Sequence, residues 1–280
     1  MSNLSKPPEP VDNVDIEVRL LLEAIYLKFH YDFRGYSMAS VKRRLTHALP
    51  TFGCATISAL QQKILYEPDV FGALLQYLTV QVSDMFRDPA YFRVFRERIV
   101  PELRTYPSLK LWVAGCSTGE EVYSFAIILR EEGLLERTII YATDINTESL
   151  RKVEAGVFPL HRVADFSDNH QKTGAPCSLS TYYTAAYGSA AFDRSLMKQV
   201  VLSDHSLATD TVFAEVQLVS CRNVLIYFDR ALQDRASRLF RDSLCRRGFL
   251  GIGAKESMRF SSEAKHFANY APIERWYSRC

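Results

Sequence analysis

The chain has 280 residues, 48% of them hydrophobic, and carries 34 Lys and Arg against 32 Asp and Glu, a net charge of +2. That excludes a disordered chain and fits one large domain, or an ordinary domain with a smaller companion. The near-neutral balance names no charged partner. Cys54, Cys116, Cys177, Cys221, Cys245 and Cys280 form no CxxC pair and have no His at zinc spacing, so reduced thiols and no metal are expected. No signal peptide opens the chain and no apolar run is long enough for a bilayer, which predicts a cytoplasmic protein without membrane insertion.

Residues 1–13 (MSNLSKPPEPVDN) are polar and proline-rich and read as a disordered lead-in. Over 14–29 the apolar positions Val18, Leu21, Leu22, Ile25 and Phe29 fall on one helical face. Ser37 suits the N-cap of a second helix reaching about Leu49, which carries Lys42, Arg43, Arg44 and His47 in a basic cluster. Helical stretches over 57–65 and 69–78, separated by Pro68, complete an all-helical N-terminal domain over 14–78. The cluster is either a solvated helix face or an electrostatic dock for an acidic partner.

A second domain is expected over 79–280. Its connection, TVQVSDMFR, meets a turn at Asp88-Pro89 and then a helix over 91–103. Residues 109–114 read as a buried strand running into Gly115, Cys116, Ser117, Thr118 and Gly119, small residues that let the backbone bend sharply and a ligand approach. From Glu120 the apolar residues Val122, Phe125, Ala126 and Leu129 recur at helical spacing, and a strand over 138–143 ends on Asp144. Strand, Gly-rich turn, helix, strand and terminal acid make half of a nucleotide-binding βαβ unit, with Asp144 placed for ribose hydroxyls. A pyrophosphate would sit over the helix N-terminus, where Glu120 and Glu121 would repel it. A ligand bearing a cationic amine and a sulfonium would be welcome, and S-adenosylmethionine has both. Alternatively these two acids only complement the helix dipole.

A helix follows over 147–155. Residues 157–198, with Pro159, Gly174, Pro176 and Gly188 around the strand-like SLSTYYTAAY and AAFD, break the α/β rhythm and predict an inserted antiparallel β-subdomain. Strands are expected over 199–203 and 216–220, the latter ending at Cys221-Arg222-Asn223, whose loop points at the same crevice as residues 115–121. Tyr227 lies near that mouth, Asp229 caps a helix over 230–246, and strands over 248–253 and around 273–277 close the chain.

AGCSTGEEVYS, YATDIN and SCRNVLIYF, in this order, resemble the signature segments of the CheR family of chemotaxis receptor methyltransferases. The likeness runs from about Asp32 to near the C-terminus. It implies an α/β fold: a Rossmann-like methyltransferase sheet with a small antiparallel β-insertion, preceded by the helical domain. It further implies methyl transfer from S-adenosylmethionine to glutamate side chains of chemoreceptor cytoplasmic helices, leaving S-adenosylhomocysteine. By position it assigns Gln81, Ser83 and Arg87 to polar cofactor contacts, with Arg87 also an active-site arginine, and places Ser206 and Leu207 by the adenine. The basic helix with Lys42, Arg43 and Arg44 would meet the receptor, and some relatives bind a receptor C-terminal tether at the β-insertion. A monomer is the default assembly.

A glutamate, with an ordinary pKa of about 4.3, is already ionised at neutral pH, so its methylation needs alignment rather than a base. Arg87 would hold that carboxylate, and Tyr227 would fix its orientation or line the methyl path. Glu120 or Glu121 would face the cofactor's amine, Asp144 its ribose, and Arg222 and Asn223 would line the crevice. Taken alone, Arg87 fits a surface ion pair with Asp84 or Asp88, and Tyr227 an aromatic filling the domain edge. Three rival classes remain. The Glu pair argues against an NAD-dependent oxidoreductase. NVLIY lacks the prolines of the amino-methyltransferase loop, which argues against a nucleic-acid methyltransferase. A non-catalytic cofactor-binding adaptor would have less use for Arg87 and Tyr227.

Overall fold

The computed structural model describes residues 12–67 and 69–280. Of the expected lead-in, residues 1–11 lie outside the described residues, as does Pro68, whereas Asp12 and Asn13 already open the first helix. The chain divides into two compact units at Thr79/Val80.

The first unit is a bundle of α1 (Asn13–Phe29), α2 (Met38–Ala48), α3 (Ile57–Tyr66) and α4 (Val70–Leu78). The Asp12 side chain accepts from the Val14 N–H, satisfying a donor that α1 cannot. Val18, Leu21, Leu22 and Ile25 are buried on one face, and Phe29 stacks on Phe71 with centroids 4.1 Å apart. Ser37 precedes α2 but its hydroxyl makes no capping bond.

In the second unit α5 (Pro89–Val94), a π-helical turn (Phe95–Ile99) and α6 (Val100–Leu103) form one helical run. There follow β1 (Leu109–Ala114), α7 (Glu120–Glu131), β2 (Thr138–Asp144) and α8 (Thr147–Ala155). The inserted piece holds β3 (Val157–Pro159), α9 (Leu160–Lys172), β4 (Tyr183–Ala186) and β5 (Ser189–Phe192). Then come β6 (Val200–Asp204), β7 (Val216–Cys221), α10 (Arg230–Ser243), β8 (Leu244–Ile252), β9 (Phe267–Ala271) and β10 (Trp276–Arg279).

The main sheet has the order β6-β2-β1-β7-β8-β10-β9. β6, β2, β1, β7 and β8 run parallel, and β10 pairs antiparallel with β8 and β9. Successive strands build outward from β1 first to one side and then to the other. The switch opens a crevice beyond the carboxyl ends of β1 and β7, where ligands bind in such sheets. A buried aromatic layer backs it: Trp276 stacks on Tyr91 at 4.2 Å, and Phe95 meets Phe125 edge-on at 4.9 Å.

The separate three-stranded sheet, β3-β5-β4, is antiparallel as expected. The insertion also contains α9, a 13-residue helix that the proline- and glycine-rich reading of this stretch overlooked. Two boundaries move. The expected helix over 230–246 stops at Ser243, because Leu244 and Cys245 are buried as strand residues and Leu244 pairs with Val216. Arg247 takes a positive φ of 65° where the register shifts, so Arg246, expected at the helix end, belongs instead to an irregular strand. Ile273 is 86% exposed in the β9–β10 turn, and the closing strand begins only at Trp276.

Candidate active site

The turn after β1 is built by backbone geometry. Gly115 and Cys116 both donate to the Thr143 carbonyl, at 2.8 and 2.9 Å, tying it to the end of β2. Gly115 has φ +70°, and a Cβ there would come 2.5 Å from Val224 Cγ2. Gly119 has φ +95°, and a Cβ there would come 2.8 Å from Val153 Cγ1. Only glycine meets both demands, a positive φ and no side chain.

Asp144 faces this turn. It accepts from Ser117 N and from Asn146 N, each at 2.9 Å. Burial raises its pKa from the ordinary carboxylate value, opposed by these N–H groups and that of Ile145. Among the described residues it has no ion-pair partner, which suits a carboxylate kept for hydroxyl groups.

The two first-turn acids each have an arginine, so neither serves the helix dipole alone. Glu120, 1% exposed at its side chain, lies 2.9 Å from Arg162 Nη1 and accepts from Thr118 Oγ1 at 2.7 Å. Arg162 also reaches Asp84 at 2.8 Å and the Ser83 carbonyl. Glu121 accepts from Ser220 Oγ at 2.6 Å and pairs with Arg222 at 3.1 Å. The buried Arg222 side chain donates further to the Arg87 carbonyl at 2.7 Å and to Asp88 at 2.8 Å, and its guanidinium lies 4.1 Å from the Tyr91 ring centroid.

Both acids offered as partners for Arg87 are therefore held by other arginines, Asp84 by Arg162 and Asp88 by Arg222. Among the described residues the Arg87 side chain has no ion pair. Its neighbours Phe86 and Asp88 both hold positive φ, 51° and 57°, a backbone that costs energy outside glycine and persists where surrounding bonds enforce it. Here the Phe86 N–H donates to Ser124 Oγ at 2.8 Å and Arg222 takes the Arg87 carbonyl.

Asn223, φ 59°, and Tyr227 lie in the loop after β7. Glu256, in the loop after β8, accepts from Gly253 N, Asn223 N and Ile226 N at 2.6, 3.0 and 3.2 Å. Its burial pushes the carboxyl pKa up, against the pull of those N–H groups. Ser206 uses its own N–H on Asp210 at 2.8 Å and its hydroxyl on Ala208 N at 3.2 Å, and Leu207 is buried. Gln81 lies 3.5 Å from Lys152 Nζ.

In the first unit Lys42 pairs with Asp12 and Asp15 at 2.6 and 2.7 Å, and Arg44 donates to the Leu78 carbonyl at 2.5 Å. Arg43 is exposed. Arg162, Ser220 and Glu256 escaped the sequence reading. Arg162 sits in the overlooked helix, and Ser220 and Glu256 act through contacts 99 and about 30 residues away.

Residues 81–272 match the family model described as CheR methyltransferase, SAM binding domain, and residues 16–79 the CheR methyltransferase, all-alpha domain. A Pseudomonas putida KT2440 protein provisionally named methyltransferase Cher3 is 60% identical over 267 residues, 95% of this chain and 98% of that one. Chemotaxis protein methyltransferases of Salmonella typhimurium and Listeria innocua are 30% and 26% identical. They cover 70% and 81% of this chain, and 66% and 84% of their own. The chain belongs to the CheR methyltransferase family, and S-adenosylmethionine is the cofactor of its second unit. The glycine cradle and the uncompensated Asp144 fit that group. Among the described residues no helix is long and apolar enough to cross a membrane, and no cluster of His, Cys, Asp and Glu is placed to hold a metal.

Proposed function

We propose that this CheR-family methyltransferase esterifies glutamate side chains on the cytoplasmic helices of chemoreceptors, acting in the cytoplasm as a monomer. The observation that carries this reading is Arg87, a cation whose two neighbouring acids are engaged elsewhere, in a segment tied to Glu120 through Arg162 and to Glu121 through Arg222. A cation in that state suits an incoming carboxylate.

When bound, S-adenosylmethionine supplies a methyl group made electrophilic by its sulfonium. Asp144 and the N–H groups of the turn would hold the ribose end, with Glu121 or Glu120 towards the amine. Arg222 and Asn223 would line the crevice, and Gln81, Ser83, Ser206 and Leu207 would complete it. Since Ser206 already caps its own turn and Ser83 gives its carbonyl to Arg162, their contributions would come from remaining valences. Arg87 would fix the acceptor carboxylate and Tyr227 its orientation. An ionised acceptor needs no base, so alignment is the chief contribution, up to roughly 7–11 kcal/mol in the best intramolecular cases. Of the α2 cluster, Arg43 is the cation left to meet a receptor, because Lys42 and Arg44 serve the fold.

The test is labelled-methyl transfer to a purified glutamate-rich receptor cytoplasmic fragment, followed by mild alkali. Alkali-labile label that is lost with Arg87→Ala is expected. Cofactor binding by calorimetry with no transfer would overturn the acceptor assignment in favour of a cofactor-binding adaptor or another substrate.

A further inference from the structure

Beside the site lies a surface that the chemistry does not use. The loops after β7 and β8 leave the same ends of adjacent parallel strands, and buried Glu256 staples one to the other through Gly253, Asn223 and Ile226. The second loop is also fastened to α10, since Asp234 accepts from Ser261 Oγ and Ser262 N, both at 2.9 Å. On this rigid base two large apolar side chains point outward, Phe260 at 66% exposure and Ile226 at 41%, the latter adjoining Tyr227. Lys255 and Arg259 are exposed in the same loop, and among the described residues neither has an acid within ion-pairing distance. Three of the acids nearby are committed: Glu256 to three N–H groups, Asp229 to the N-cap of α10 through Leu232 N at 2.8 Å, and Asp234 to the serines and to Arg230 at 3.6 Å.

We infer that this rim is a landing surface for the helix carrying the acceptor glutamate: Phe260 and Ile226 take its apolar stripe, and Lys255 and Arg259 pair with its neighbouring carboxylates. An amphipathic helix rich in glutamate offers that combination, apolar residues at i, i+3 and i+4 beside acids. Anchored at the rim, it delivers one glutamate at a time to Arg87 and Tyr227. The inference rests on the acceptor assignment made above.

Two variants, Lys255→Glu/Arg259→Glu and Phe260→Ser, are compared with wild type in methyl transfer to the receptor fragment. Lys110→Glu, at the opposite end of β1, carries half the charge change of the double variant and gauges what charge alone does. Both rim variants are expected to raise KM about tenfold or more with kcat within twofold and cofactor affinity unchanged, and the wild-type KM is expected to rise with salt. An unchanged KM in both, or an equal rise in Lys110→Glu, overturns the rim. A wild-type dimer that Phe260→Ser makes monomeric gives the patch to a second copy and also overturns it. Wild type that binds cofactor but transfers no methyl to the fragment removes the acceptor assignment, and the rim with it. That outcome is distinct from transfer that is indifferent to the rim.

Discussion

Arg162 and Glu120 meet at 2.9 Å, and the same guanidinium reaches Asp84 at 2.8 Å, so a helix of the β-insertion neutralises the first acid of α7 and holds the segment before Arg87. The Glu120 side chain is 1% exposed, so Arg162→Ala strands a buried carboxylate. Breaking a buried pair from one side costs about 3–5 kcal/mol, and the partial exposure of Arg162 places this one at the lower end. Adding Glu120→Gln to Arg162→Ala is expected to recover part of the loss in denaturant unfolding. A double variant no more stable than Arg162→Ala would show that Arg162 acts through Asp84 and Ser83 alone.

How far this was legible in the sequence follows from range. The turn, the helix from Glu120 and the acid at the end of β2 lie within 36 residues and use local signals: apolar periodicity, glycines and a terminal acid. Helix α8 occupies the expected 147–155; the Asn146 side chain accepts from Glu148 N and Ser149 N at its start, and Gly156 ends it with φ 62°. Arg162 was not found, since α9 starts directly after Pro159 inside a stretch whose composition suggests strands and turns. Nor could the sequence decide whether Arg87 is paired. That depends on Arg162 and Arg222, 78 and 134 residues from the acids they take.

Arg87 and Asp88 are neighbours in sequence but not partners, because Asp88 belongs to Arg222. Arg87→Ala is expected to lower kcat/KM for the receptor fragment by roughly 10²-fold, the scale at which loss of alignment is felt. Asp88→Asn takes one carboxylate from the buried Arg222, but Asp88 itself is about half exposed and Glu121 and the Arg87 carbonyl still hold that guanidinium, so the loss of stability should stay at about 1–3 kcal/mol and kcat/KM should hold. If Asp88→Asn lowered kcat/KM as far as Arg87→Ala, Arg87 would be working through its neighbour.

Asp144 sets a pH dependence for cofactor affinity. Its pKa is raised by burial from 3.8. Above the raised value the carboxylate accepts hydrogen bonds, and below it the protonated form loses acceptor capacity. Affinity for S-adenosylmethionine should therefore be flat at neutral pH and weaken as pH falls through the Asp144 pKa, earlier than an ordinary aspartate would allow. Calorimetry across that range checks it: Asp144→Asn should bind more weakly at neutral pH and lose this acidic limb. An acidic limb that survives Asp144→Asn would assign it to another group.

Glu131, at the far end of α7, governs acid stability instead. Burial pushes its carboxyl pKa up, but bonds to His170 and Arg96 outweigh burial and leave it below 4.5. His170 Nε2 lies 2.9 Å from Glu131 Oε1, and Tyr182 donates to that oxygen at 3.2 Å. A carboxyl with a depressed folded pKa contributes stability that is present above its unfolded value and lost as pH falls through the folded one. Thermal unfolding of wild type should thus show a loss of stability that begins near pH 4.5 and continues below it. Glu131→Gln should be less stable at neutral pH, because the buried Arg96 loses one of its two carboxylates and keeps only Glu132 at 2.9 Å. Its curve should converge on wild type in acid, where wild-type Glu131 is itself protonated. Curves that stay parallel from neutral pH into acid would mean that Glu131 contributes by packing and not by charge.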